Sequence, residues 1–169
     1  MRMARPGVTL CALLTAGCTS FAQFLETGAH PEQPLGDIVG VWQSDTTAGN
    51  SALSDCAWTP QHGAVICEQT ISTPTGIRHA QNLFTVDLRG NRFAFYGLSQ
   101  PGDPMRPVPL SIDSHIWIYG GTAPDSPVTW SRTVNDFNAT GTYTWRQESS
   151  LDGQHWTAGG AHGLSRRLK

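Results

Sequence analysis

The sequence predicts an all-β fold: a single antiparallel up-and-down β-barrel of about ten strands, placed after an N-terminal signal segment. Three observations carry this. Between Gly40 and Arg167, short runs rich in β-branched and aromatic residues are broken at regular intervals by Gly, Pro, Asn and Asp, with no helix-period stretch between them. Within the runs, side chains alternate with period two, so that Phe93, Phe95 and Gly97 share one face, as do Ile116 with Ile118 and Tyr143 with Trp145. The chain also carries 18 Gly and 11 Pro, enough for a turn after every strand. Closing such a sheet removes the exposed edges that an open one leaves; a β-sandwich is the structural competitor.

Arg2 and Arg5 form a basic start to an apolar stretch, Val8 to Ala16, which is too short to span a bilayer. Residues 1–22 therefore read as an export signal. Ser20-Phe21-Ala22 offers small residues at a cleavage site, and Thr15-Ala16-Gly17-Cys18 resembles the lipobox of bacterial lipoproteins, which makes Cys18 a candidate lipidation site. Residues 23–36, rich in Pro, Gly and Gln, read as a linker with at most one helical turn, and the domain spans 37–169.

Candidate strands follow at 39–45, 53–59, 64–72, 76–87, 92–99, 106–112, 115–119, 127–133, 140–149 and 155–168. Pro74-Thr75-Gly76, Arg89-Gly90-Asn91 and Asp152-Gly153 supply residues that tolerate positive φ, so consecutive hairpins are expected. The segment Ser150 to Trp156 also resembles the Asp-box of sialidase propellers, but as a single copy between alternating strands it reads as a hairpin turn. Setting the signal aside leaves Cys56 and Cys67. A hairpin folded about Gln61 and His62 places them opposite each other, within reach of a disulfide, with buried free thiols or a redox pair as the alternatives.

A net charge of −2, with 14% charged residues and no basic run beyond Arg166-Arg167, gives no footprint for nucleic acid. Ser149 and Ser150 lack a nucleophile-elbow context, and Glu68, Asp87 and Glu148 are isolated, so no catalytic residue is assigned. Six histidines include no His-x-His or His-x-x-x-His pair; His79, His115 and His162 lie in strands and His155 in a turn, and neither a metal nor a cofactor is assigned.

Gly40-Val41-Trp42 in the first strand, with a basic residue in the last, resembles the end-closing pair of the lipocalins and their calycin relatives. The resemblance implies that Trp42 packs across the closed end beneath Arg166 or Arg167. Cys56-Ala57-Trp58, His115-Ile116-Trp117, Trp130-Ser131-Arg132 and Glu148 to Trp156 extend the likeness to bacterial exported lipocalin-like domains of unknown function. That likeness implies a fold and a periplasmic, secreted or lipid-anchored location, and no particular activity.

A barrel of this size can hold a cavity for a small apolar or amphipathic ligand. Polar residues set among aromatics are the candidates to line it: Arg78, His79, Gln81, Tyr96, Tyr119, Arg132 and Arg146, with the face each presents depending on register. The expected partner is such a ligand, with membrane contact only through a lipid at Cys18. The alternative is a cell-envelope interaction protein with a filled barrel, and beyond that a haem-binding or enzymatic calycin.

Overall fold

In the computed structural model the described residues are 33–46, 49–87, 92–98, 107–122 and 129–169; the signal segment, Cys18, most of the linker and the Arg89-Gly90-Asn91 turn lie outside them. A 3-10 helix, Gln33–Ile38, precedes ten strands: β1 Gly40–Thr46, β2 Ser51–Trp58, β3 Ala64–Thr73, β4 Gly76–Asp87, β5 Arg92–Leu98, β6 Val108–Asp113, β7 Ile116–Thr122, β8 Trp130–Ala139, β9 Thr142–Ser150 and β10 Thr157–Arg167. Each pairs with the next, and β10 returns to β1, so the sheet is one closed antiparallel meander.

Because the strands run alternately up and down, the connections fall at two ends. One end carries the β2–β3, β4–β5, β6–β7 and β8–β9 connections together with the 3-10 helix and the C-terminus; the other carries the remaining five. The first end is closed by packing. Leu35, Ile38, Trp42, Val65, Phe84 and Trp117 are buried there in one cluster with Tyr143. Edge-on and tilted ring contacts run through it from Trp42 to Tyr143 (4.9 Å), Tyr143 to Phe137 (4.6 Å), Phe137 to Trp117 (5.0 Å) and Trp117 to Phe84 (5.5 Å). Offset contacts of this kind add to the burial of the rings themselves.

Trp42 ties the helix to the barrel by donating its indole N–H to the Ile38 carbonyl at 2.7 Å. The Arg167 guanidinium lies over the Trp42 ring, 4.6 Å from its centroid, and donates to the Asp37 carbonyl at 2.9 Å. The sequence left Arg166 and Arg167 as alternatives for this place. Register decides between them, because Trp42 pairs with Arg167, while Arg166 pairs with Gln43 and points outward, 3.6 Å from Asp45. Lys169 and Leu168 extend the seam by backbone hydrogen bonds with Val41.

Cys56 and Cys67 face each other across β2 and β3 with Cα atoms 4.0 Å apart and form a disulfide buried in the wall. The hairpin between them turns through His62, whose φ of 55° is left-handed. Strand bounds shift by a few residues from the sequence reading, most of all in β8. Strand β8 runs to Ala139 instead of stopping at 133, because Asn135 and Asp136, residues that favour turns, are absorbed into pairing with β7 and β9. Leu35, within the segment read as a linker, is fully buried in the closed end.

Two stability predictions follow from this end of the molecule. Replacing both cysteines by serine releases a loop with a sequence separation of 11 and lowers unfolding free energy by roughly 2–3 kcal/mol in urea titration. Arg167→Gln costs about 1 kcal/mol in the same assay, whereas Arg166→Gln stays within about 0.5 kcal/mol of the unmodified protein.

Candidate functional site

The size of the inward side chains divides the barrel interior into two halves. Below, large rings fill the space; above, towards the end bearing the β1–β2 and β3–β4 hairpins, the inward side chains become shorter and the interior opens as a cavity of about 630 Å³. Phe95, Tyr119, Tyr143 and Trp145 supply its aromatic surface, and Ala52, Ile71, Val108 and Ala161 its aliphatic surface. Hydroxyls and amides come from every side: Ser44 and Thr46 on β1, Gln69 on β3, Asn82 on β4, Ser131, Thr133 and Asn135 on β8, and Gln147 on β9.

Missing side chains shape this surface as much as those present. A Cβ on Gly163 would stand 2.8 Å from the Trp145 indole nitrogen and 2.3 Å from the Asp45 carbonyl, so glycine is what lets the indole lie flat against β10. On β5 a Cβ at Gly97 would come within 3.2 Å of the Phe95 ring, so that ring lies over a backbone without a side chain.

The deeper polar groups are internally bonded. Ser44 and Ser165 share a hydrogen bond of 2.6 Å, and the Tyr143 hydroxyl bonds to both. The Tyr119 hydroxyl bonds to Asn135 and Thr133, and Gln69 donates to Ser54 at 2.9 Å. Burial raises both tyrosine phenols above their ordinary value of 10.0. For Tyr119 the neighbouring Tyr143 adds to the rise, since a second phenolate beside the first is unfavourable, and the hydrogen bonds only partly offset it. Tyr119 keeps ring surface towards the cavity while its hydroxyl is enclosed.

Of the polar residues proposed from sequence as lining the interior, Tyr119 and Arg132 stand in the cavity wall. On β4 the inward positions are Asn82 and Phe84, which places His79 and Gln81 on the outer face; Gln81 there donates to Glu68 at 2.6 Å and His79 lies 3.4 Å from Thr70. Tyr96, between inward Phe95 and Gly97, also faces outward. Arg146 follows inward Trp145 and lies outside, bonded to Glu148 at 2.7 Å. Arg132 reaches the wall where Gly120 brings β7 and β8 close, but its guanidinium is on the outer surface, 2.6 Å from Glu148 and 4.0 Å from the centroid of the Trp156 ring. Arg78 shares the inward parity of Asn82 and stands exposed near the mouth.

The expectation that His79, Gln81, Tyr96 and Arg146 line the interior is therefore corrected, and Arg132 lines it without turning its guanidinium inward. The physical reason is the strict two-residue period, which sends the residue next to an inward side chain outward. Three of the amides that do face inward, Asn82, Asn135 and Gln147, were absent from the sequence list; each sits two residues along its strand from an inward ring, Phe84, Phe137 and Trp145 respectively, and that parity is the signal that finds them.

Outside the barrel, desolvation would raise the Glu148 carboxyl, but hydrogen bonds from Arg146 and Arg132 outweigh it and hold it below the usual range. Asp152 accepts from the Gln154 and His155 amides at 2.8 Å each and organises the turn before β10. Among the described residues no cluster of three or more His, Cys, Asp or Glu side chains converges in a way that would hold a metal ion.

The raised phenols set a pH response. In the unfolded chain both tyrosines lose protons above their ordinary value of 10.0, while in the folded chain they stay protonated. Folding stability they contribute is thus fully present below pH 10 and is lost as pH rises further, by up to about 1.4 kcal/mol per pH unit for Tyr119, with Tyr143 acting in the same direction. Urea titrations at a series of alkaline pH values should show that fall, and Tyr119→Phe should flatten it.

No family model matches the chain, and no curated protein matches it. Among solved structures, that of EF1p2_mFAP2b bound to DFHBI is similar, with a TM-score of 0.38 and 11% sequence identity over 81% of this chain and 98% of that one.

Proposed function

We propose that this protein binds a small amphipathic molecule within the open half of an exported, lipocalin-like barrel. One observation carries the reading: the interior holds a cavity of about 630 Å³, reached from one end, where aromatic and aliphatic surface is interrupted by hydroxyls and amides. Ligand sites commonly have volumes of about 300–1,000 Å³ and this mixture of apolar wall with a few placed polar groups. A barrel serving only as an envelope scaffold needs no such space, and filling it with larger side chains would stabilise the fold.

The compartment belongs to the same proposal. A buried disulfide supports folding in an oxidising environment, as expected if residues 1–22 direct export and either Gln23 or a lipidated Cys18 begins the mature chain. Among the described residues no helix is long and apolar enough to cross a membrane. The Trp42–Arg167 pair at the closed end supports the lipocalin-like assignment, because it occupies the place that resemblance gives it.

The test is saturable binding of the uncharged, polarity-sensitive dye Nile red, followed by its fluorescence. The unmodified protein should bind it in a single phase. Ala52→Trp, which projects an indole from β2 into the cavity, should weaken binding about tenfold or more while the far-ultraviolet circular dichroism is unchanged. Absence of saturable binding to the unmodified protein overturns the proposal.

A further inference from the structure

We infer that the ligand is an uncharged, elongated molecule with a flat apolar middle and a hydrogen-bonding group at each end, held between Asn82 and Gln147; this rests on the cavity being a ligand site. In the closed strand order, β4 and β9 are five steps apart in either direction, so they form opposite walls of the barrel. Asn82 lines the cavity from β4 and Gln147 from β9.

These two amides differ from the other deep polar groups. Tyr119, Tyr143, Gln69 and Ser44 already have hydrogen-bond partners within the wall. Among the described residues the side chains of Asn82 and Gln147 have none. Gly97, beside Asn82 in register, has no side chain to cover its amide, whose oxygen would lie 3.6 Å from a Cβ built there. An amide both donates and accepts, so each can receive a hydroxyl, a carbonyl or another amide. Phe95, Tyr119 and Trp145 supply flat apolar surface within the same cavity.

Charge is excluded by what the wall lacks. Among the described lining residues the sole charged type is Arg132, and its guanidinium is committed to Glu148 and Trp156 on the outer surface. An anion or cation entering the cavity would lose hydration and, among the described lining residues, meet no free opposite charge. Arg78 stays exposed at the mouth, where water can solvate it.

The experiment is isothermal titration of the full chain at neutral pH with three rigid probes of one shape: a naphthalenediol with one hydroxyl on each ring, the hydroxynaphthoate, and the aminomethylnaphthol as its ammonium form. The diol is expected to bind about tenfold or more tightly than either ion. Asn82→Leu and Gln147→Leu are each expected to weaken the diol by about three- to tenfold. Serine replaces leucine at either position if circular dichroism shows a misfolded variant. Equal or tighter binding of either ion overturns the charge selection, and unchanged diol affinity in either variant overturns the two-ended hold, both leaving the cavity as a ligand site. Failure of all three probes to bind a protein that takes up Nile red overturns this inference alone, and failure of Nile red as well overturns the ligand-site reading with it.

Discussion

The seam between the first and last strands is the constraint on which the rest of the molecule depends. Until β10 pairs with β1, the meander is an open sheet with two unpaired edges and no interior; once it pairs, every inward side chain acquires neighbours across the barrel. Trp42 makes that seam specific. Its indole N–H holds the 3-10 helix, its edge meets Tyr143 on β9, and Arg167 covers its face from β10, so one residue joins the helix, the first strand and the last two. A slip of one residue at the seam would place Arg166 over the ring's position and turn Ser165 outward, breaking its bond with Ser44.

From that end the interior changes character along the barrel axis. Stability is concentrated where rings interlock, near the plug of Leu35 and Ile38, and in the buried Cys56–Cys67 disulfide. The open half is built from smaller and more polar side chains, and its deep members are bonded to one another, as in the Ser44–Ser165–Tyr143 and Tyr119–Asn135–Thr133 groups. Such bonding holds the cavity floor in one arrangement before any ligand arrives, which reduces the ordering that binding must impose. The packed half can therefore carry the fold while the open half remains hollow.

How much of this was legible in the sequence follows from what period two can and cannot specify. Strand number, the hairpin order and the Cys56–Cys67 pairing were readable because turn residues and spacing are local signals. The contact of Trp42 with a C-terminal arginine was expected from the sequence, but choosing Arg167 over Arg166 required the β1–β10 register, a contact between residues more than a hundred positions apart. The interior polar set was the least legible. Arginine and histidine attract notice as chemistry-bearing residues, yet His79, Arg132 and Arg146 occupy the outward step of their strands and remain hydrated, whereas the plain amides of Asn82, Asn135 and Gln147 occupy the inward step.

The same rule explains why ion pairs and the cavity are segregated so cleanly. Arg132, Arg146 and Glu148 share the outer face of β8 and β9, where Trp156 caps the Arg132 guanidinium and water can complete the solvation of all three charges. Inward residues of those same strands, Thr133, Asn135, Trp145 and Gln147, alternate with them position by position. A charge moved one residue along either strand would enter the barrel without a partner and disfavour closure. The requirement that the sheet close and the neutrality of its interior are thus one physical condition, and the chemistry available to a ligand inside is set by the demands of folding the wall that surrounds it.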